Sequence, residues 1–325
     1  MNDTPVIEIL LGTYNGEKYL REQLKSLIEQ DYPNIRILVG DDASTDSTPN
    51  ILKSFQEKYP DKIQLVFFKN NYGIVKNFSR LLELSEAPYL MLADQDDLWF
   101  PDKVSKTWEK MQALEAKWGS EKPLLVHTDA EVVDNKLELI AASNWEHQGL
   151  LIQEGAKLEK MLIQNCMQGC TMLFNRALCD LGTPIPMEGF VHDYWLALVA
   201  TSCGHTDYVP EATMFYRQHD SNRFGAVQPS WTTLLRPFYL KPTNTRLMQG
   251  TLRAYILYKR YQNLFSEEDR KKIEIFIGLK YGPVWKELYY RWKYGFFFHG
   301  FLRNIKLVLA TLFLGRVDKK YQLHL

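Results

Sequence analysis

The 325-residue chain has few cysteines: Cys166, Cys170, Cys179 and Cys203, with no CxxC pair among them. That excludes a disulfide-stapled scaffold and predicts free thiols in a reducing compartment. No run of about 18 uninterrupted apolar residues occurs, so no spanning helix is expected. The opening segment MNDTPVIEILLGTYN has an early acid and no basic stretch ahead of an apolar one. No secretion leader is expected from it. GxGxxG and GxxxxGK[ST] are both missing, which removes the main support for dinucleotide-binding and P-loop readings. Repeats and low-complexity linkers are missing too. With 39 basic and 39 acidic residues there is no net charge, and so no global field favouring nucleic acid.

What is present is a globular composition, 46% hydrophobic and 24% charged, with ample material for a core. The neutral total is a cancellation. Trp231–Leu325 carries 18 Lys and Arg against 6 Asp and Glu, a net of +12, and residues 1–230 carry −12. Two parts with different tasks are expected: an α/β domain over 1–230 and a basic, aromatic-rich helical region over 231–325.

The first hundred residues alternate between strand and helix patterns. Apolar runs at Val6–Leu11, Ile35–Val39, Ile63–Phe68 and Tyr89–Ala93 read as buried strands. Helical spacing falls at Tyr19–Gln30, Thr48–Tyr59 and Val75–Leu84, with Pro49 suited to a first turn. This predicts an α/β layer on a parallel sheet. A helix at Asp102–Lys117 follows. Strands are then predicted at Leu124–Thr128, Glu131–Val133, Thr171–Asn175 and Thr213–Arg217, with a helix at His192–Ser202. These continue the same sheet in mixed sense.

In an open α/β sheet, ligands sit beyond the carboxyl ends of the strands. After the first strand comes Gly12-Thr13-Tyr14-Asn15-Gly16-Glu17, in which Tyr14 offers a flat face to a base. An ordinary strand-to-helix turn reads the same way. After the second comes Asp41-Asp42-Ala43-Ser44-Thr45-Asp46. Capping explains Asp46 but not two adjacent carboxylates, which repel one another. One of them could accept a hydrogen bond from a pyrimidine N–H or a ribose. After the third comes Asn70-Asn71-Tyr72-Gly73, good turn chemistry in itself, then Lys76 and Asn77, which could touch phosphate or ribose. After the fourth comes Asp94-Gln95-Asp96-Asp97-Leu98-Trp99. Three carboxylates in four residues repel, and a divalent cation removes that cost. Asp-x-Asp suits Mg²⁺ or Mn²⁺ shared with substrate phosphate. An acidic turn before a helix is the plainer alternative. Further on, Asp193 opens a helix and becomes a candidate general base only alongside the other motifs. His219 could be a third metal ligand and Arg217 could contact pyrophosphate.

Taken in order, Thr13-Tyr14-Asn15-Gly16-Glu17, Asp41-Asp42-Ala43-Ser44-Thr45-Asp46, Asp94-Gln95-Asp96-Asp97 and His192-Asp193-Tyr194-Trp195 resemble the family 2 glycosyltransferases. These are inverting nucleotide-sugar enzymes of GT-A fold, and the motifs span about two-thirds of the chain. Details resemble the rhamnosyltransferase branch of bacterial cell-wall, O-antigen and capsule synthesis. They are Asp-Gln-Asp-Asp-Leu-Trp itself, Gly73-x-x-x-Asn77-Phe78, His127-x-Asp129, Gly169-Cys170-Thr171-Met172 and Tyr216-Arg217-x-His219.

The resemblance implies a Rossmann-like, mainly parallel mixed sheet flanked by helices, with a helical C-terminal extension. It implies that Thr13, Tyr14, Asn15, Glu17 and Asp42 hold the nucleotide base, with Lys76, Asn77, Asp94 and Arg217 on ribose or phosphate. Asp96 would be the direct metal ligand beside Asp94 and His219. Asp193 would be the catalytic base, and Asp129, Gly169, Cys170 and Trp195 would lie on the acceptor side. The later Gln-x-x-Arg-Trp motif of processive members is missing, which argues for addition of one sugar or a few. By resemblance the donor is dTDP-rhamnose and the acceptor a polyprenyl-pyrophosphate-linked saccharide. UDP-hexose transfer and a catalytically silent nucleotide-sugar binder stay open. A nucleotidyltransferase would open with a Gly-rich loop carrying Arg and Lys, which Thr13-Tyr14-Asn15 does not resemble.

In the basic region, Phe301, Ile305, Val308 and Leu312 share a helical face, with Arg303, Asn304 and Lys306 opposite. This amphipathic pattern suits the anionic inner face of the cell membrane, reached from the cytoplasm. Packing on the catalytic domain or on a second subunit in a homodimer is the competing reading. Nucleic acid is not expected as a partner, because the helix has an apolar face.

Overall fold

The computed structural model describes residues 4–187, 191–219 and 240–313. Alternating elements open the chain: β1 (Ile7–Thr13), α1 (Leu20–Ile28), β2 (Ile35–Asp41), α2 (Thr48–Lys58), β3 (Ile63–Phe67), α3 (Ile74–Leu84) and β4 (Tyr89–Ala93). Then come β5 (Leu98–Trp99), α4 (Lys103–Trp118), β6 (Leu124–Val133) and β7 (Leu139–Ala141), and short helices α5 (Asn144–Gln148), α6 (Ile152–Gly155) and α7 (Leu158–Met161). They are followed by β8 (Met172–Asn175), α8 (Arg176–Gly182), α9 (His192–Cys203) and β9 (His205–Arg217). Four helices close the described chain: α10 (Leu240–Tyr261), α11 (Glu267–Gly278), α12 (Val284–Tyr294) and α13 (Phe301–Phe313).

Among the described residues nine strands form one sheet in the order β3-β2-β1-β4-β8-β6-β9-β5, with β7 on β6. The β3-β2-β1-β4 half is parallel, and β1 and β2 are covered on both faces. That is why they read as continuous apolar runs. Register aligns their exits: Thr13 lies opposite Asp41, and Leu11 opposite Ala93. The residues that follow therefore emerge at one edge.

β8 then enters antiparallel between β4 and β6. An antiparallel strand begins where its neighbour ends, so the lead-in turn Gly169–Thr171 is delivered beside Asp94. β9 runs parallel to β6 and pairs through Phe215 and Met214 with β5. Its exit, Arg217–His219, is thereby delivered to the Asp94–Asp97 turn. Asn175 secures this arrangement, capping α8 through Leu178 N–H and donating to the carbonyls of Ser120 and Lys122.

Two compact units are present. The first comprises Met1–Asn144, Met167–Leu196 and Gly204–Ala226; the second comprises Trp145–Cys166, Ala197–Cys203 and Val227–Leu325. The expected boundary at residues 230/231 lies outside the described residues. The chain passes between the units more than once, which a composition shift at one point does not register. Within the second unit α12 ends at Gly295 in a left-handed conformation. Among the described residues no helix is long and apolar enough to cross a membrane.

Candidate active site

The loops after β1 and β2 are laced together. Asn15 N–H donates to Ser44 Oγ at 2.9 Å, and Asn15 Oδ1 accepts the Thr45 amide at 2.9 Å. Glu17 accepts Ser47 N–H at 2.9 Å, and Gly16 N–H donates to Thr48 Oγ1 at 2.8 Å. Gln95 ties the loop after β4 into the same floor, accepting Tyr14 N–H at 2.8 Å and donating to Tyr14 O at 3.1 Å. Tyr14 is left 46% exposed above it, a free aromatic face at the strand ends.

The two carboxylates after β2 are satisfied internally. Asp41 accepts the hydroxyls of Thr13 (3.0 Å) and Ser44 (2.6 Å) and the Ser44 amide. Asp42 is buried and accepts the amides of Tyr72 and Gly73, the latter at 2.7 Å. Thr13, Asn15, Glu17 and Asp42 thus shape the floor through bonds to the turns after β2 and β3. Tyr14, Asn15 and Glu17 are exposed and Lys76 is half-buried, while Thr13 and Asp42 are buried. Asn77, expected on ribose or phosphate, is instead buried against the sheet, donating to Gly40 O at 2.8 Å. The reason is helical phase: it lies one position from Phe78, which packs on Gly12.

Asp94, Asp96 and Asp97 stand at the β4 exit. Asp94 is half-buried, and burial, with Asp96 and Asp193 nearby, pushes its pKa up to about 7. Asp97 is buried with Oδ2 unpaired, and burial, with Asp96 and Asp94 nearby, raises it well above the usual carboxylate range. Asp96 hydrogen-bonds through Oδ2 to His219 Nε2 at 2.8 Å. Arg217 does not open toward a diphosphate as expected. It is 3% exposed, its Nε donates to Asp96 O at 3.0 Å, and it pairs with Glu22 at 2.7 Å. Its backbone N–H reaches Asp97 Oδ1 at 3.3 Å. Sitting on the strand that delivers it under the turn, Arg217 braces Asp96.

Asp94, Asp97 and Cys170 place their ligand atoms within 4.8 Å of one another, a grouping that differs from the expected Asp94, Asp96 and His219. The Cys170 thiol is buried among these carboxylates, and burial raises its pKa well above the ordinary value. A thiol held protonated is a poor ligand. Carboxylates that crowd and repel, with an orphaned buried oxygen, fit a hard divalent cation on oxygen ligands.

Asp193, in the first turn of α9, is brought to the same place. A Cβ on Gly169 would lie 3.3 Å from Asp193 Cβ and 3.2 Å from His192 Nε2, so the glycine lets the helix start approach. His192 stacks on Phe78 at 4.0 Å, and burial pushes its pKa down to about 3, keeping it neutral. Two acceptor-side expectations are corrected by packing. Trp195 is fully buried, donating to Gly182 O at 2.6 Å. Asp129 is buried, holding Ser143 and the Asn144 amide.

Sequence reasoning missed Gln95, Glu22 and Lys103. Lys103 is wholly buried, donating to Thr213 Oγ1 at 3.1 Å, and burial lowers its pKa to about 8. The signal was its phase: Lys103, Thr107, Met111 and Leu114 form one buried stripe of α4.

Residues 8–179 match Glycosyl transferase family 2. The dTDP-rhamnosyl transferase RfbG of Shigella flexneri is 30% identical over 233 residues, covering 66% of this chain and 74% of that protein. The putative teichuronic acid biosynthesis glycosyltransferase TuaG of Bacillus subtilis is 24% identical over 247 residues, 71% of this chain and 87% of that one. Among solved structures, mannosyltransferase PcManGT from Pyrobaculum calidifontis, with GDP-Man and Mn²⁺, superposes with a TM-score of 0.51 at 16% identity, covering 96% of this chain and 80% of that one. TarS 1-349 of S. aureus, with UDP-GlcNAc, gives 0.50 at 16% identity, covering 90% and 92%. These structures show the GT-A fold that the motifs implied. The chain belongs to glycosyl transferase family 2 and is a glycosyltransferase.

Proposed function

We propose that the enzyme is an inverting, non-processive transferase that moves L-rhamnose from dTDP-rhamnose to a hydroxyl of a saccharide acceptor in bacterial surface polysaccharide synthesis. The acceptor is lipid-linked, on a polyprenyl pyrophosphate, and the enzyme works peripherally at the inner face of the cell membrane. The observation that carries the chemistry is Asp193 at a helix start, against Gly169 and close enough to Asp94 to raise its pKa. The rhamnose assignment is supported by the branch motifs and the relative from Shigella flexneri.

Asp193, ionised, accepts the proton of the acceptor hydroxyl as its oxygen attacks the anomeric carbon. The C–O bond to the diphosphate breaks on the opposite face, so configuration inverts. One carboxylate serves, in contrast to the pair a glycosidase needs. Tyr14 offers its ring to the base, and Gln95 holds the Tyr14 backbone. Arg217 and His219 fix Asp96. A Mg²⁺ or Mn²⁺ held by Asp94 and Asp96 would supply positive charge to the leaving diphosphate.

The test is transfer and donor hydrolysis across a panel of nucleotide sugars with Mg²⁺, Mn²⁺ or EDTA, using wild type, Asp96→Ala and Asp193→Asn. The expected result is EDTA-sensitive turnover of dTDP-rhamnose, abolished in Asp96→Ala. In Asp193→Asn it falls about 10³-fold with nucleotide affinity kept. Turnover of UDP-hexoses alone would overturn the rhamnose assignment. Loss of nucleotide binding in Asp193→Asn would overturn the role of that residue.

A further inference from the structure

Helix α12 turns aromatic rings outward. Trp285 is 70% exposed and Trp292 75%, and Tyr289 stands between them at helical spacing. Lys286 and Lys293 flank this stripe, both exposed. Two tryptophans so bare are costly to leave in water. On α13, Leu307, Ala310 and Thr311 turn inward, while Phe301 and Phe313 are each 73% exposed.

Charge on this hairpin has one sign outside. Between Ile275 and Phe313 the cations are Lys280, Lys286, Arg291, Lys293, Arg303 and Lys306, and the single acid is Glu287. Glu287 is buried, holding Arg291 at 2.7 Å and Lys280 at 3.4 Å and accepting Thr311 Oγ1 at 3.2 Å. The hairpin's only carboxylate is used internally. Burial, then the nearby Arg246 and Arg303, lowers the pKa of Lys306.

We propose that the outer face of α12 and α13 is a docking surface for an anionic lipid bilayer, with Trp285, Tyr289 and Trp292 seated at the headgroup level and Lys286 and Lys293 on lipid phosphates. Bare indole rings interleaved with lysine and free of outward carboxylates complement that surface, which is apolar beneath and negative above. The assignment rests on the proposed lipid-linked acceptor, and it moves the main contact from the Phe301 helix to α12.

The test uses the full chain and sedimentation with vesicles of phosphatidylcholine, alone or mixed with phosphatidylglycerol. Wild type is expected to partition onto the mixed vesicles and not onto phosphatidylcholine alone. Trp285→Ala/Trp292→Ala should lower partitioning at least about tenfold. Lys286→Gln/Lys293→Gln should lower it about thirtyfold at low salt. Both variants should keep the wild-type melting temperature. Equal binding to neutral vesicles, or undiminished binding of the tryptophan variant, overturns the assignment. So does a wild-type dimer that the tryptophan variant dissociates, which would make the face a subunit contact. Donor turnover with a water-soluble acceptor is measured in parallel. Turnover without vesicle binding rejects this surface alone; vesicle binding without turnover rejects the transfer reading alone.

Discussion

Asp42 shows how a residue can be rightly singled out and differently employed. Two adjacent acids at a strand end demand an explanation, and the structure supplies one: amide donors from the turn after β3. Those amides hold the buried Asp42 carboxylate in place from within the chain. Asp42→Asn is accordingly expected to lower stability by about 2–3 kcal/mol, since charge-assisted bonds to a buried carboxylate are lost, while nucleotide affinity changes little. Chemical denaturation and calorimetry with dTDP check the two halves separately. Arg217, Asn77 and Trp195 teach the same lesson. Their types suggest ligand contact, but burial is a property of strand order and helix phase, which residue type does not carry. The Asp94-Gln95-Asp96-Asp97 turn drew attention because like charges at a strand end have few structural uses, whereas Asp193 and His219 stood out only beside the other motifs.

At the scale of elements, the first four strands were readable because parallel strands covered on both faces are continuously apolar. β5, two residues long, carries no period to read. The first half of β9, His205–Ala212, is half-exposed and polar, and only its apolar end was predicted as strand. The loops gain their order from one another, and Gln95 is the pin between the turns after β1 and β4. A Cβ on Gly16 would overlap the Gln95 amide. Gly16→Ala and Gln95→Ala are both expected to raise the KM for donor severalfold with little change in melting temperature, because each frees the Tyr14 backbone. Steady-state kinetics with each variant checks this. Equal effects, and no further loss in the double variant, would identify a shared cause.

For the molecule as a whole, stability against acid has a readable component in His299. It is buried in the second unit, accepting Leu151 N–H through Nδ1 at 3.1 Å. Burial, with Lys160 and Arg303 nearby, lowers its pKa to about 4. The folded state keeps this imidazole neutral where the unfolded chain protonates near 6.5. Its contribution is therefore complete above pH 6.5 and is lost as the pH falls toward 4. Between these limits it adds a slope of about 1.4 kcal/mol per pH unit. His299→Gln should remove that slope, as urea denaturation at a series of pH values would register.

The charge on the outside of the α12–α13 hairpin behaves oppositely. Its acid, Glu287, and its imidazole, His299, are both inside, and the exposed charges on α12 are lysines. Among the described residues, that outer face carries lysines and neither a carboxylate nor an imidazole. Adhesion through it therefore answers to ionic strength.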